Sequence, residues 1–372
     1  MEDPKNPLDN KDKTTWKESP YLIIKGFLMG SADIVPGVSG GTMALITGIY
    51  ERLINAIKSV NGSVIKNTLQ FRFGAVFVEF HWKFFTLLFA GLFSAVFFFT
   101  NVVPLQVYMY THSEIVYGLF FGLIVGSIFL LIAEVESESR GWKNIFPILA
   151  GALFGFWVVT LVPADTPETF LFVMLSGSFA ICAMILPGIS GSYILLILRK
   201  YDYILSELGD VFSANPIDPL LNLLPFIMGA VFGLALFTRL LSWLLNNYHA
   251  VTLMVLVGFL VGSLYVIWPY QNREYADSVR SVEVLPYSHS LVQELMEREE
   301  IPELPEYKRI GEISEESTGE QMVEVETVSR KLLKSQPFIP DSSDGNVNLK
   351  GGIFGMIGGL FMIWFISLLR KK

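Results

Sequence analysis

The chain has 372 residues, 52% of them hydrophobic and 14% aromatic, with a mean hydropathy of +0.49 and a net charge of −8. Soluble domains rarely sustain that balance, and a single cysteine, Cys182, excludes an internal disulfide framework or a cysteine-rich metal site. The acidity is local: residues 271–350 hold 17 acids against 9 bases, so the remainder is balanced.

In chain order, residues 1–20 have mixed charge and no apolar stretch, so they read as a solvated cytoplasmic tail and not a secretory signal. Residues 22–57 are apolar but interrupted by ADIVPGVSGGT (32–42), with Pro36 and Gly37 at the break. Proline lacks a donor and glycine is conformationally loose, so a regular helix does not pass through this centre. A re-entrant hairpin is expected; a single kinked span is the alternative. Uninterrupted spans are expected at 84–103, 115–133 and 145–162, each close to the roughly 20 residues needed to cross hydrocarbon. The pattern then recurs. Residues 172–205 are broken by AMILPGISGSY (183–193), with Pro187 and Gly188 at the break, and spans follow at 223–245, 251–268 and 351–369. A polar insert, 270–350, separates the last two.

The two halves match in register. Pro36, Gly37, Ser39 and Gly40 align with Pro187, Gly188, Ser190 and Gly191, and Tyr50-Glu51 with Tyr201-Asp202. GLIVGS from Gly122 resembles GFLVGS from Gly258, and Gly91 has a counterpart in Gly229. The fold class expected is an all-α integral membrane protein built as an inverted repeat. Each unit is one re-entrant helical hairpin plus three transmembrane helices: 21–163, then 164–269 with 351–372. Three spans per unit is odd, so the second copy lies upside down. Lys/Arg cluster in the tail, between Arg52 and Lys83, at Arg140 and Lys143, and at Arg370, Lys371 and Lys372, whereas loops 104–113 and 164–171 have none. The positive-inside rule then sets both termini on the cytoplasmic side of the cytoplasmic membrane and the insert outside. Arg199 and Lys200 fall on the outer side against that rule, which suggests retention for function.

Inverted repeats with broken helices place a transporter's substrate at the repeat interface. After each Pro-Gly break the returning helix starts with free N–H groups and a partial positive charge. Ser39, Gly40, Gly41 and Thr42 at one start, and Ser190, Gly191 and Ser192 at the other, would let an anion approach the backbone closely, and phosphate is the usual occupant. Arg52 and Arg199 would add forked donors. The alternatives are close helix packing for the small residues and snorkelling for the arginines. Asp33, a carboxylate deep in an apolar run, is a candidate for a coupling proton or cation, or for an ion pair; Glu51 and Asp202 are read as caps or interfacial pairs, and Arg239 as added charge for the anion or as a marker of the cytoplasmic end of its helix. No metal, cofactor or nucleic-acid partner is expected. No GxxxxGK[ST] motif is present, and with no histidine near either motif in sequence a lipid phosphatase is disfavoured.

The stretches KGFLMGSADIVPGVSGGTMALITGIYERL (25–53) and LPGISGSYILLILRKY (186–201) closely resemble the two signatures of the bacterial and archaeal polyprenyl-phosphate transporters, formerly a domain of unknown function. The resemblance covers essentially the whole membrane body. It implies undecaprenyl phosphate as the substrate, returned to the cytoplasmic face as the carrier lipid of cell-envelope synthesis. A small-anion channel or ion-coupled anion exchanger using the same helix starts is the alternative. The acidic insert departs from the family's compact core. A small extracytoplasmic module, a site for a protein partner, or disorder through EREEIPELPEYKR are the options left for it.

Overall fold

The computed structural model describes residues 14–35, 37–134, 145–161, 166–211, 217–298, 304–315, 321–340 and 347–370. Pro36, tail residues 1–13, the loop carrying Arg140 and Lys143, and Lys371 and Lys372 lie outside the described residues, as does the end of the span expected to reach 162. So does the residue 299–303 part of EREEIPELPEYKR.

The chain is mostly helical, and among the described residues five helices are long and apolar enough to cross a membrane. The first broken segment forms α1 (Ser19–Asp33), α2 (Gly40–Ile46) and α3 (Tyr50–Lys58). Two short helices, α4 (Gly62–Leu69) and α5 (Phe73–Glu79), lead to α6 (Trp82–Asn101). After α7 (Leu105–Thr111) come α8 (Ser113–Glu134) and α9 (Ile145–Val159). The second broken segment forms α10 (Phe170–Ile185), α11 (Gly191–Ile197) and α12 (Tyr201–Asp210), followed by α13 (Ile217–Asn247) and α14 (His249–Ile267). The final helix, α16 (Leu349–Arg370), follows the insert. The long helices are α6, α8, α13, α14 and α16; at 15 residues, α9 is shorter than the span expected over 145–162.

Glycines set the helix pairing by letting backbones touch. α1 packs on α6, α10 on α13, α8 on α16, and α9 on α14. A Cβ at Gly91 would lie 2.1 Å from the Ile23 carbonyl oxygen, and one at Gly229 would lie 1.8 Å from that of Met174. Gly359 meets Gly122 across α16 and α8 much as Gly151 meets Gly258 across α9 and α14. Close approach of this kind supplies van der Waals contact where the hydrophobic effect gives none between helices. Phenylalanines that point away from these contacts, such as Phe93 and Phe97 on α6 and Phe361 on α16, are exposed, as a lipid-facing surface requires.

The two broken segments attach to opposite ends of α13. Lys58 and Asn55, on α3, bond Ser242 at 3.0 and 3.3 Å, whereas Glu207, on α12, accepts from Asn222 at 3.1 Å. Twenty residues of helix separate Asn222 from Ser242, about 30 Å at 1.5 Å per residue.

The insert is not helical throughout, as an all-α reading implies, nor disordered through its described part. It forms a three-stranded antiparallel sheet, ordered β1-β3-β2, from β1 (Gln271–Pro286), β2 (Glu306–Glu315) and β3 (Gln321–Pro337). α15 (Ser290–Glu297) lays Val292 and Leu295 against Val323 and Val325, a small separate core. Strand β2 begins inside EREEIPELPEYKR, where Tyr307 is buried. The insert is anchored where α14 ends: the Gln271 amide donates to the Tyr265 and Val266 carbonyls, satisfying terminal groups the helix leaves open.

Candidate functional site

Both broken segments turn back through glycine. Gly37 and Gly188 have φ of 89° and 80°, values an L side chain adopts only under strain. Gly48 (φ 73°) and Arg199 (φ 50°) occupy the matching second break, between α2 and α3 and between α11 and α12. Both segments thus share a backbone path, with arginine held where the first copy has glycine.

The two tips meet. The Gly188 backbone N–H donates to Thr42 Oγ1 at 2.8 Å. Ser39 Oγ lies 3.4 Å from the Met184 and Leu186 carbonyl oxygens, and the Tyr50 hydroxyl donates to the Ile185 carbonyl at 3.1 Å. The first segment therefore supplies donors to carbonyls left open at the end of α10. The start of α2 is itself occupied by an anion from the same chain. Asp33 Oδ1 accepts from the Gly40 N–H at 2.6 Å, and Ser39 Oγ accepts from that of Gly41 at 3.2 Å. Gly40 must lack a side chain here, since a Cβ would fall 2.5 Å from Asp33 Oδ2; one on Gly41 would fall 2.7 Å from the Ile185 carbonyl.

Ser39, Gly40, Gly41, Thr42, Asp33, Gly37 and Gly188 thus form one cluster. On the second tip, Ser190 Oγ and Ser192 Oγ are 2.8 Å apart, Ser192 is exposed, and Gly191 packs on its own α10 at Ala180. The remaining candidates lie elsewhere. Arg52 is bound to Glu18 at 2.9 Å and to Thr14 at 2.7 Å, with its guanidinium over Phe84, at the base of the first segment. Glu51 pairs with His249 at 2.7 Å. A histidine therefore does come near a motif residue, across 198 positions that sequence proximity cannot see. Arg239 donates to the Ala235 carbonyl of its own helix. Arg199 and Asp202 are exposed at the base of the second segment. Cys182 is half-buried, facing the Gly233 carbonyl.

One contact escapes a sequence reading, and one residue flagged by it proves buried. Tyr50 serves in the alignment only as a register marker, yet its hydroxyl bridges the tips. Lys200, only 1% exposed, donates to the Thr166 carbonyl at 2.9 Å beside the Phe172 and Tyr203 rings. Its conflict with the positive-inside rule was the available signal.

Long apolar helices around two glycine-turned, tip-to-tip segments define a multi-pass membrane protein. Residues 29–283 match the undecaprenyl phosphate translocase-like family, and the chain belongs to that family. It is 39% identical over 254 residues to the polyprenyl-phosphate transporter of Vibrio cholerae, covering 68% of this chain and 78% of that protein. To the polyprenyl-phosphate transporter of Staphylococcus aureus it is 30% identical over 258 residues, covering 66% and 85%. No solved structure matches it significantly.

Proposed function

We propose that this chain is a transporter that moves a polyprenyl phosphate, undecaprenyl phosphate in the family's description, from one leaflet of the membrane to the other, and that the phosphate passes between the two tips. The observation that carries this reading is the tip contact itself: Gly188 N–H on Thr42, with Asp33 holding the first N–H of α2. A carboxylate seated on that N–H stands in for the anion the site is built to receive. Phosphate bound there would displace Asp33, and a proton on Asp33 would release the same donor, which makes Asp33 the candidate coupling group. Ser190, Gly191 and Ser192 offer the matching surface on the second tip. Arg199, and Arg52 if its bond to Glu18 opens, would meet the headgroup at the two mouths.

Bases on opposite ends of α13 support two re-entrant hairpins entering from opposite faces. The exchange of partners supports the inverted repeat: α1–α6 answers to α10–α13, and α8–α16 to α14–α9. In this arrangement the residue 52–83 face is cytoplasmic and the insert lies outside the cytoplasmic membrane. A phosphate alone in hydrocarbon is prohibitively costly, so a polar path for the headgroup is enough to speed exchange while the isoprenoid chain stays in lipid. Chemistry on the substrate is not part of this reading.

The test is leaflet exchange in proteoliposomes. A short-chain polyprenyl phosphate should equilibrate faster than in protein-free vesicles, with the neutral alcohol a poor competitor. Exchange at the protein-free rate, together with raised phosphate or chloride flux, would replace this reading with a small-anion pathway.

A further inference from the structure

The insert meets the helices across a cleft of about 390 Å³, lined by Tyr110, Arg273, Tyr275, Asp277 and Arg330, that transport between the tips does not use. Alternation along β1 puts Arg273, Tyr275 and Asp277 on one face, and the β1–β3 register sets Asp277 opposite Arg330. α7 closes the other side. The Tyr110 and Tyr275 rings are 5.1 Å apart, and the Tyr110 hydroxyl donates to the Arg330 carbonyl at 3.3 Å.

The charges do not balance. Among the described residues Asp277 is the only acid lining the cleft, and it is already engaged: Oδ2 accepts from the Tyr307 hydroxyl at 2.6 Å, and Oδ1 lies 3.6 Å from Arg330 Nε. The Arg273 guanidinium lies 4.0 Å above the Tyr117 ring and hydrogen-bonds the Tyr117 side chain, but one of its terminal nitrogens is buried without a hydrogen-bond partner among the described residues. An orphaned guanidinium nitrogen is expensive, so its retention beside an open cleft calls for an anion. Burial pushes the Tyr275 phenol up to about 12, so it stays protonated and able to donate. Arg330 lies beyond residue 283, where the family match ends, whereas Tyr110, Arg273, Tyr275 and Asp277 lie within it.

We propose that the cleft binds a phosphate group, held by the Arg273 and Arg330 forks and by the Tyr275 hydroxyl, with Tyr110 closing the wall. As a receptor for the lipid headgroup it rests on the transport reading, and would collect substrate at the insert's face of the membrane. As a site for free phosphate it does not.

Hydrogen exchange on the full chain in nanodiscs tests this, with inorganic phosphate and a short-chain polyprenyl phosphate as separate probes. Phosphate should slow exchange in Gln271–Pro286 and Gln321–Pro337. Arg273→Gln and Arg330→Gln should each raise the half-saturating concentration at least tenfold, whereas Arg280→Gln, on β1 but outside the cleft, should not. Arg273→Lys, which keeps the charge, guards against a variant that merely unfolds the sheet: it should recover part of the affinity. If the lipid protects at concentrations at least tenfold lower than inorganic phosphate, the headgroup is the ligand; equal potency assigns the site to free phosphate. Absence of protection by either probe, or protection equal in wild type and both glutamine variants, overturns the proposal. Leaflet exchange by the same wild-type preparation reports on the transport reading independently, so the two can fail separately.

Discussion

At the scale of the residue, the two copies differ most usefully at Gly48 and Arg199. Both sit in the left-handed region, where a residue with a Cβ carries a strain of roughly 1–2 kcal/mol. Arg199→Gly removes that strain but loosens the unfolded chain by a comparable 0.5–1 kcal/mol. These backbone effects offset, so a shift in melting in detergent beyond about 1 kcal/mol would report contacts of the side chain itself. The variant is therefore a clean probe: lost leaflet exchange with unchanged melting assigns the guanidinium a role in transport, and unchanged exchange makes Arg199 a hairpin-end residue. Gly48→Ala runs the same two effects in reverse, added strain against a stiffer unfolded chain, and should destabilise by about 1 kcal/mol or less.

At the scale of the element, the helix pairs depend on backbone contact, and the glycines mark where. Gly229→Val and Gly91→Val would drive side chains into carbonyl oxygens of the neighbouring helix, which only backbone movement relieves. Each should cost about 3 kcal/mol, read as a lower melting temperature or loss of monodisperse protein. Gly62→Ala, with open space around it, should change little. Hydropathy and the Pro-Gly breaks made these elements legible: α6, α8, α14 and α16 end within two residues of the spans read from sequence, whereas α13 starts six residues before the expected 223. The insert was not legible in the same way. Tyr307, Val323 and Val325 alternate with charged residues, but the bulges at Glu274/Tyr275, Val279/Ser281 and Ile310/Ile313 break the period that identifies a strand. The site was half legible. Ser39 to Thr42 are local and carry their own signature. The ion pair of Arg52 was not legible, because its partners Glu18 and Thr14 are met only when α3 returns to the start of α1, and no spacing rule reports such a pairing.

At the scale of the whole molecule, the account requires the tips to separate and close around a headgroup. In this structure they are in contact through Thr42, Ser39 and Tyr50. A molecule that alternates between two related states must break these bonds on each cycle, since the second tip can reach a headgroup at the start of α2 only from a position that the carbonyls of Met184, Ile185 and Leu186 now fill. The most direct measurement replaces Cys182 with serine, introduces Ser39→Cys and Met184→Cys, and follows polyprenyl phosphate exchange in liposomes before and after bridging the pair with a short bis-methanethiosulfonate, which joins both thiols through reducible disulfides. The account predicts that the reduced double variant exchanges lipid, that bridging stops it, and that reductant restores it. Full-rate exchange by the bridged protein would contradict passage between the tips.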